Sequence, residues 1–133
     1  MDQDKILDIA VRAGSLLLKS GAETYRVEET IVRICQSYRL SCDAFVLPTG
    51  IFVSAEGKRT PLTIVRRISY RTVDLTSISR LNALSRKIQN QKPEYQKVMA
   101  EPMDTEEFMK QQEIWTTERN EAIAKAQAEG RDY

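Results

Sequence analysis

The sequence predicts an α+β fold. Apolar residues recur at three- and four-residue steps through the first 38 positions, as on helices packed by one face. After Cys42 that period gives way to short β-type runs broken by turn residues, and at Asp74 the helical period returns. The expected architecture is two N-terminal helices, a three-stranded antiparallel meander, a third helix packed on the sheet, and a separate C-terminal helix. A chain of 133 residues has room for one domain, or for one small domain with an appendage.

The first helix is read over residues 4–19. Ile6, Ile9, Ala10, Ala13, Leu16 and Leu17 line one side, and Asp2 and Asp4 stand at the end where the helix dipole favours acids. Lys19 followed by Ser20-Gly21 ends it, with glycine able to take the left-handed conformation. A second helix runs from about Ala22 to Tyr38 on the stripe Val27, Ile31, Ile34, Cys35 and Tyr38. Ser20 with Glu23 three residues later fits a capping box, and the short connection implies an antiparallel pair. Cys35, on the apolar stripe, reads as a core thiol.

Ala44-Phe45-Val46-Leu47, Ile51 to Ala55, and Leu62 to Ile68 read as strands. Pro48-Thr49-Gly50 and the polar turn Glu56-Gly57-Lys58-Arg59 separate them. Strands this close in sequence pair antiparallel, because parallel pairs need long crossovers. Arg66 and Arg67 are neighbours in a strand and point to opposite faces, so at least one must leave the core or be paired. Asp74 or Thr76 caps a third helix whose apolar face is Leu75, Ile78, Leu81, Leu84 and Ile88, and which fades at Asn90 to Pro93. Residues 93–103 read as a polar linker. Asp104 with Glu107 caps a fourth helix that runs to about Glu129, on a thin stripe of Phe108, Trp115 and Ala122.

Charge divides the chain more sharply than its net of +1 suggests. Residues 1–92 carry 15 Lys/Arg against 9 Asp/Glu, and residues 93–133 carry 5 against 10. Within 58–92 nine basic residues meet one acid, Asp74. The expected organisation is therefore a domain over 1–92, a linker over 93–103 and an acidic helical tail over 104–133. The tail needs a surface: the basic stretch of its own chain, or a second copy through Phe108 and Trp115, giving a homo-oligomer.

Histidine is absent, which removes Ser-His-Asp and Cys-His machinery and the commonest metal ligand. Cys35 and Cys42 form no CxxC, so no metal site and no cofactor is expected; a disulfide between them is conceivable, but without a secretory signal reduced thiols are expected. The longest apolar runs are far shorter than the roughly 20 residues that cross a bilayer, so a chain that neither spans a membrane nor is secreted is expected. Neither GxGxxG nor a GxxxxGK[ST] phosphate loop occurs.

Two places carry candidate chemistry. Gly21 to Glu29 is the densest polar cluster beside a helix start, where Glu23, Arg26 and Glu28 could hold a zwitterion: the arginine meets a carboxylate and an acid meets the ammonium. A solvated first helical turn accounts for the same residues. Thr49 and Gly50, in the Pro48-Thr49-Gly50 break, could expose backbone to a small ligand, or form a bare hairpin turn. The 58–92 charges invite an anion or nucleic-acid partner, yet the stretch has a single aromatic, Tyr70, and no recognition signature; no nucleic acid is expected.

The string Ile6-Leu7-Asp8-Ile9-Ala10-Val11-Arg12-Ala13-Gly14, leading to Leu16-Leu17-Leu18-Lys19-Ser20-Gly21-Ala22-Glu23-Thr24-Tyr25-Arg26-Val27-Glu28, resembles the opening of the prokaryotic threonine/serine exporter family. Ala44 to Val53, Arg66-Arg67-Ile68, and Asp74-Leu75-Thr76 to Arg86 continue the resemblance, which covers roughly residues 5–90. It implies a cytoplasmic N-terminal α+β domain of a transporter, at the cytoplasmic face of the inner membrane through a membrane-embedded partner subunit. The implied solutes are threonine and serine, or small dicarboxylates. Members continue into membrane helices where this chain has Pro93 to Tyr133, so the expectation is either a fragment or a domain with a different tail, unable to move a solute alone. Two other classes stay open. One is a small amidase-like hydrolase with Glu23 or Glu28 as base and Thr24 or Thr49 as nucleophile, which lacks an activating His or Lys. The other is an anion- or nucleic-acid-binding module using residues 58–92.

Overall fold

The computed structural model describes residues 1–56, 61–128 and 130. Its elements are α1 (Gln3–Lys19), α2 (Thr24–Ser37), β1 (Cys42–Leu47), β2 (Gly50–Ala55), β3 (Leu62–Arg67), α3 (Leu75–Gln91), α4 (Tyr95–Ala100) and α5 (Thr105–Ala128). The α+β reading holds.

The stripes read for α1 and α2 enter the core, with Leu16 and Tyr38 half-buried at their margins, and α1 buries more than its stripe, since Leu7, Val11 and Leu18 are covered as well. Leu7, Ile9, Leu17 and Leu18 of α1 and Val27, Ile31, Ile34 and Cys35 of α2 lie in one core. The two helices cross at Gly14, where a Cβ would come within 2.6 Å of the Ile31 side chain. Their connection turns on Gly21, whose φ of +97° suits glycine; a Cβ there would sit 2.6 Å from the Thr72 carbonyl. The expected capping box does not form. Ser20 belongs to the end of α1, and Glu23 is the N-cap of α2 without a side-chain cap bond.

The strands form an antiparallel sheet in the order β1-β2-β3, with Leu47 opposite Gly50 and Ile51 opposite Arg66. Ala44, Val46, Ile51, Val53 and Ala55 point inward. Phe45, Phe52 and Val65 share the outer face, the two rings 6.2 Å apart. Arg66 and Arg67 are both exposed at the end of β3. Of the polar turn expected at Glu56 to Arg59, Gly57, Lys58 and Arg59 lie outside the described residues.

The structure corrects the expected place of α3. That helix packs against α2 and α1, and the inner face of the sheet is covered instead by α2 on β1 and α1 on β2. The reason is local. The segment before α3 is stitched to the α1–α2 turn: the Thr72 N–H donates to the Lys19 carbonyl (2.7 Å) and the Asp74 N–H to the Ser20 carbonyl (2.8 Å). Arg71 adds bonds to the carbonyls of Leu18 (3.1 Å) and Ala22 (2.8 Å). Asp74 caps α3 by accepting the Ser77 N–H, and Leu75, read as part of the apolar face, is 73% exposed.

Residues 93–103 contain α4, where the sequence suggested only a polar linker. Val98 and Met103 are buried in the core, the Tyr38 hydroxyl donates to the Pro93 carbonyl, and the Tyr95 hydroxyl donates to Asp8. Two isolated apolar residues make no periodic signal, so sequence patterning passes over them. The first turn of α5 is fixed too: Asp104 accepts the Glu107 N–H, and Glu107 takes Arg12 through both carboxylate oxygens at 2.8 and 3.0 Å. From Gln112 to Ala128 the described side chains are exposed, except Ile123 and Ala126.

Candidate functional site

α2 is amphipathic in two senses. Its apolar stripe enters the core, and a polar stripe of Tyr25, Arg26, Glu29, Thr30 and Arg33 runs beside α3. Spacing of three and four residues puts these groups on one face. From α3, Asn82 and Arg86, one turn apart, complete the lining of a groove of about 310 Å³. Three guanidinium side chains and one carboxylate therefore line it. Glu29 accepts a hydrogen bond from Arg33 at 2.8 Å, while Arg26 and Arg86 have no ion-pair partner among the described residues. The Tyr25 side chain first, then the Glu23 and Glu29 carboxylates, hold the Arg26 pKa above its ordinary value, so this cation persists at any physiological pH. Thr30 is buried beside it. Such a groove can receive a carboxylate or another oxyanion through paired N–H donors.

The residues read from the sequence are not all brought together. Arg26 is in the groove. Glu23 is the exposed N-cap of α2. Glu28 lies two residues from Arg26, about 200° around the helix, and its carboxylate accepts the Val46 N–H at 3.0 Å, joining α2 to β1. Thr49 is exposed in the hairpin and its carbonyl accepts the Ile68 N–H; Gly50 pairs with Leu47 and Arg67 in the sheet. Sequence reasoning missed Thr30, Arg33, Asn82 and Arg86. The sevenfold spacing of Arg26 and Arg33 was the available signal; the contribution of α3 required the helix packing.

The basic stretch is dispersed. Arg71 holds backbone carbonyls, the Arg80 guanidinium stacks 3.5 Å from the centre of the Phe108 ring, and Lys87 pairs with Glu101 at 2.7 Å. Phe108 thus has a partner in its own chain; the Trp115 side chain, Lys58 and Arg59 lie outside the described residues. Among the described residues no cluster of three or more Cys, Asp or Glu could hold a metal, and no helix is long and apolar enough to cross a membrane.

A family model for threonine/serine exporters matches residues 8–108, from α1 into the first turn of α5. The chain belongs to the threonine/serine exporter family. A relative from Mycobacterium tuberculosis (strain ATCC 25618 / H37Rv), named "Probable threonine/serine exporter", is 32% identical over 87 residues. That match takes in 63% of this exporter-family chain and 16% of the relative's length. No solved structure matches the chain significantly. The family match extends beyond residue 90 to include α4 and the Glu107 anchor, the same segment the core holds by Val98 and Met103.

Proposed function

We propose that this chain forms the soluble, cytoplasmic part of a threonine/serine or small-dicarboxylate exporter, and that the α2–α3 groove receives the carboxylate of the solute. The carrying observation is that Arg26, Arg33 and Arg86 line one groove with a single carboxylate, Glu29, which pairs with Arg33 alone. In this reading the chain supports transport and catalyses nothing. A membrane-embedded subunit, or further segments such as those that make the relative far longer than this chain, would carry the solute across the bilayer. The groove's excess of cations favours a dianion over a zwitterion, and so a small dicarboxylate over threonine. The hydrolase reading lacks a paired nucleophile and base: Glu28 turns to the Val46 N–H of β1, while Thr49 is exposed in the β1–β2 hairpin with no side-chain hydrogen bond to an acid among the described residues.

Calorimetry on the folded chain with serine, threonine and succinate tests the proposal. Heat is expected with succinate, weakening as salt is raised, with a loss of about tenfold or more in affinity for Arg26→Gln or Arg86→Gln. Absence of heat with all three solutes would leave the groove a solvated helix face. Turnover of an amide that disappears on Thr49→Ala would favour the hydrolase.

A further inference from the structure

One end of the molecule gathers the α1–α2 turn, the β1–β2 hairpin and the segment from β3 to α3. Backbone hydrogen bonds join them: the Thr72 and Asp74 N–H groups donate to the Lys19 and Ser20 carbonyls, and the Ile68 N–H donates to the Thr49 carbonyl at 2.9 Å. Arg71 fastens the segment further, through the Leu18 and Ala22 carbonyls. The backbone is held, yet its apolar side chains are not folded in. Val73 is 84% exposed, Leu75 73% and Tyr70 63%, and Leu47 at the hairpin is exposed as well. Cations stand among them. The Lys19 ammonium lies 5.7 Å from the centre of the Tyr70 ring. Arg67 follows Leu47 and Gly50 in one row across the sheet, and Arg66 beside it is exposed too. Lys19, Arg66 and Arg67 have no ion-pair partner among the described residues. Of the two acids in these segments, Asp74 is engaged by Ser77 as the cap of α3, and Glu23 faces solvent.

We propose that this end docks on the surface of an anionic lipid bilayer. Val73 and Leu75 enter the boundary between headgroups and acyl chains, Tyr70 lies at headgroup level, and Lys19, Arg66 and Arg67 meet the lipid phosphates. The chemistry matches on both counts. Apolar side chains held in water gain by burial, and tyrosine is suited to the headgroup layer, where its ring is covered and its hydroxyl stays wet. Each cation brought to an anionic surface adds its own attraction, strongest within a Debye length. A bilayer also fits better than a protein. A standard protein interface needs about 800 Å² of matched surface on each partner, whereas side chains projecting singly from turns can enter a fluid layer without shape complementarity. None of these side chains lines the α2–α3 groove, so the inference stands whether or not a solute binds there.

Flotation of the full chain with vesicles of phosphatidylcholine, alone or mixed with phosphatidylglycerol, tests the assignment. The chain is expected to float with the mixed vesicles, less so as salt is raised, and to stay behind with phosphatidylcholine alone. The double variant Val73→Ser, Leu75→Ser keeps every charge and should lose about tenfold or more in affinity for the mixed vesicles. Arg66→Gln and Arg67→Gln should each cost about fivefold. Circular dichroism reports that each variant keeps its fold, and succinate calorimetry should be the same in all of them as in the native chain. No flotation with the mixed vesicles, or equal flotation of the double serine variant, would overturn the proposal. So would a dimer in sedimentation that dissociates on the same two serine substitutions, which would give this end to a second copy instead.

Discussion

Arg26 and Glu28 are separated by one residue, and the helix sends them to opposite sides. Arg26 turns toward α3 and bulk solvent; Glu28 turns toward β1, where it accepts an amide that the sheet leaves unpaired. A carboxylate in that position acts through stability, because removing the acceptor strands a partly buried N–H. Glu28→Ala is therefore expected to lower unfolding free energy by about 1–2 kcal/mol, whereas Glu28→Gln, which keeps an acceptor, loses less than half as much. Urea denaturation checks both. Equal losses in the two variants would mean that the charge matters more than the hydrogen bond. Either variant should leave succinate binding in the groove unchanged.

Among the elements, α3 and α5 share one polar joint. Asp74 caps α3 through the Ser77 N–H (3.0 Å) and hydroxyl (2.8 Å), and the Ser77 hydroxyl in turn accepts the Thr105 N–H at the start of α5 (2.8 Å). The Ser77 backbone and side-chain bonds hold the Asp74 carboxyl below the usual range. A carboxyl depressed in the folded state contributes stability that is complete above its unfolded pKa and is lost as pH falls through the native value. The wild-type chain should therefore lose stability below about pH 4, and Asp74→Asn should show a shallower loss over that interval while starting less stable at neutral pH. Urea midpoints at several pH values decide the point; parallel acid limbs in the two chains would contradict it. This joint shows what was legible beforehand. A cap is a local signal, so Asp74, Asp104 and the ends of α1 and α3 could be read from neighbouring residues. The stripes of α1 and α2 were equally plain, because ten or more positions repeat one period. The packing of α3 on helices was not, since an apolar stripe says that a face is covered but not by what. The arginine groove was half legible for the same reason: Arg26 belongs to a visible cluster, while Arg86 reaches it only through tertiary packing.

At the scale of the whole molecule, the charge reversal near residue 92 does not coincide with the end of the core. Val98 and Met103 are buried beyond it, and Glu107 grips Arg12. A chain ending at Gln111 is expected to melt within about 3 °C of the full-length chain, whereas one ending at Lys92 should melt about 10 °C lower or more, having lost two buried apolar side chains. Thermal denaturation followed by circular dichroism measures both; equal melting of the shorter chain would make everything after residue 92 an appendage. The 24 residues of α5 have a further mechanical meaning. At a rise of about 1.5 Å per residue the helix is some 36 Å long, and its ion pair, amide and aryl contacts with the rest of the chain lie, among the described residues, in the first turn. It is a lever with its fulcrum at the Arg12–Glu107 pair. A tilt of about 10° at that fulcrum would carry the far end through about 6 Å, so a small rearrangement of α1 against α4 becomes a large displacement at a distance.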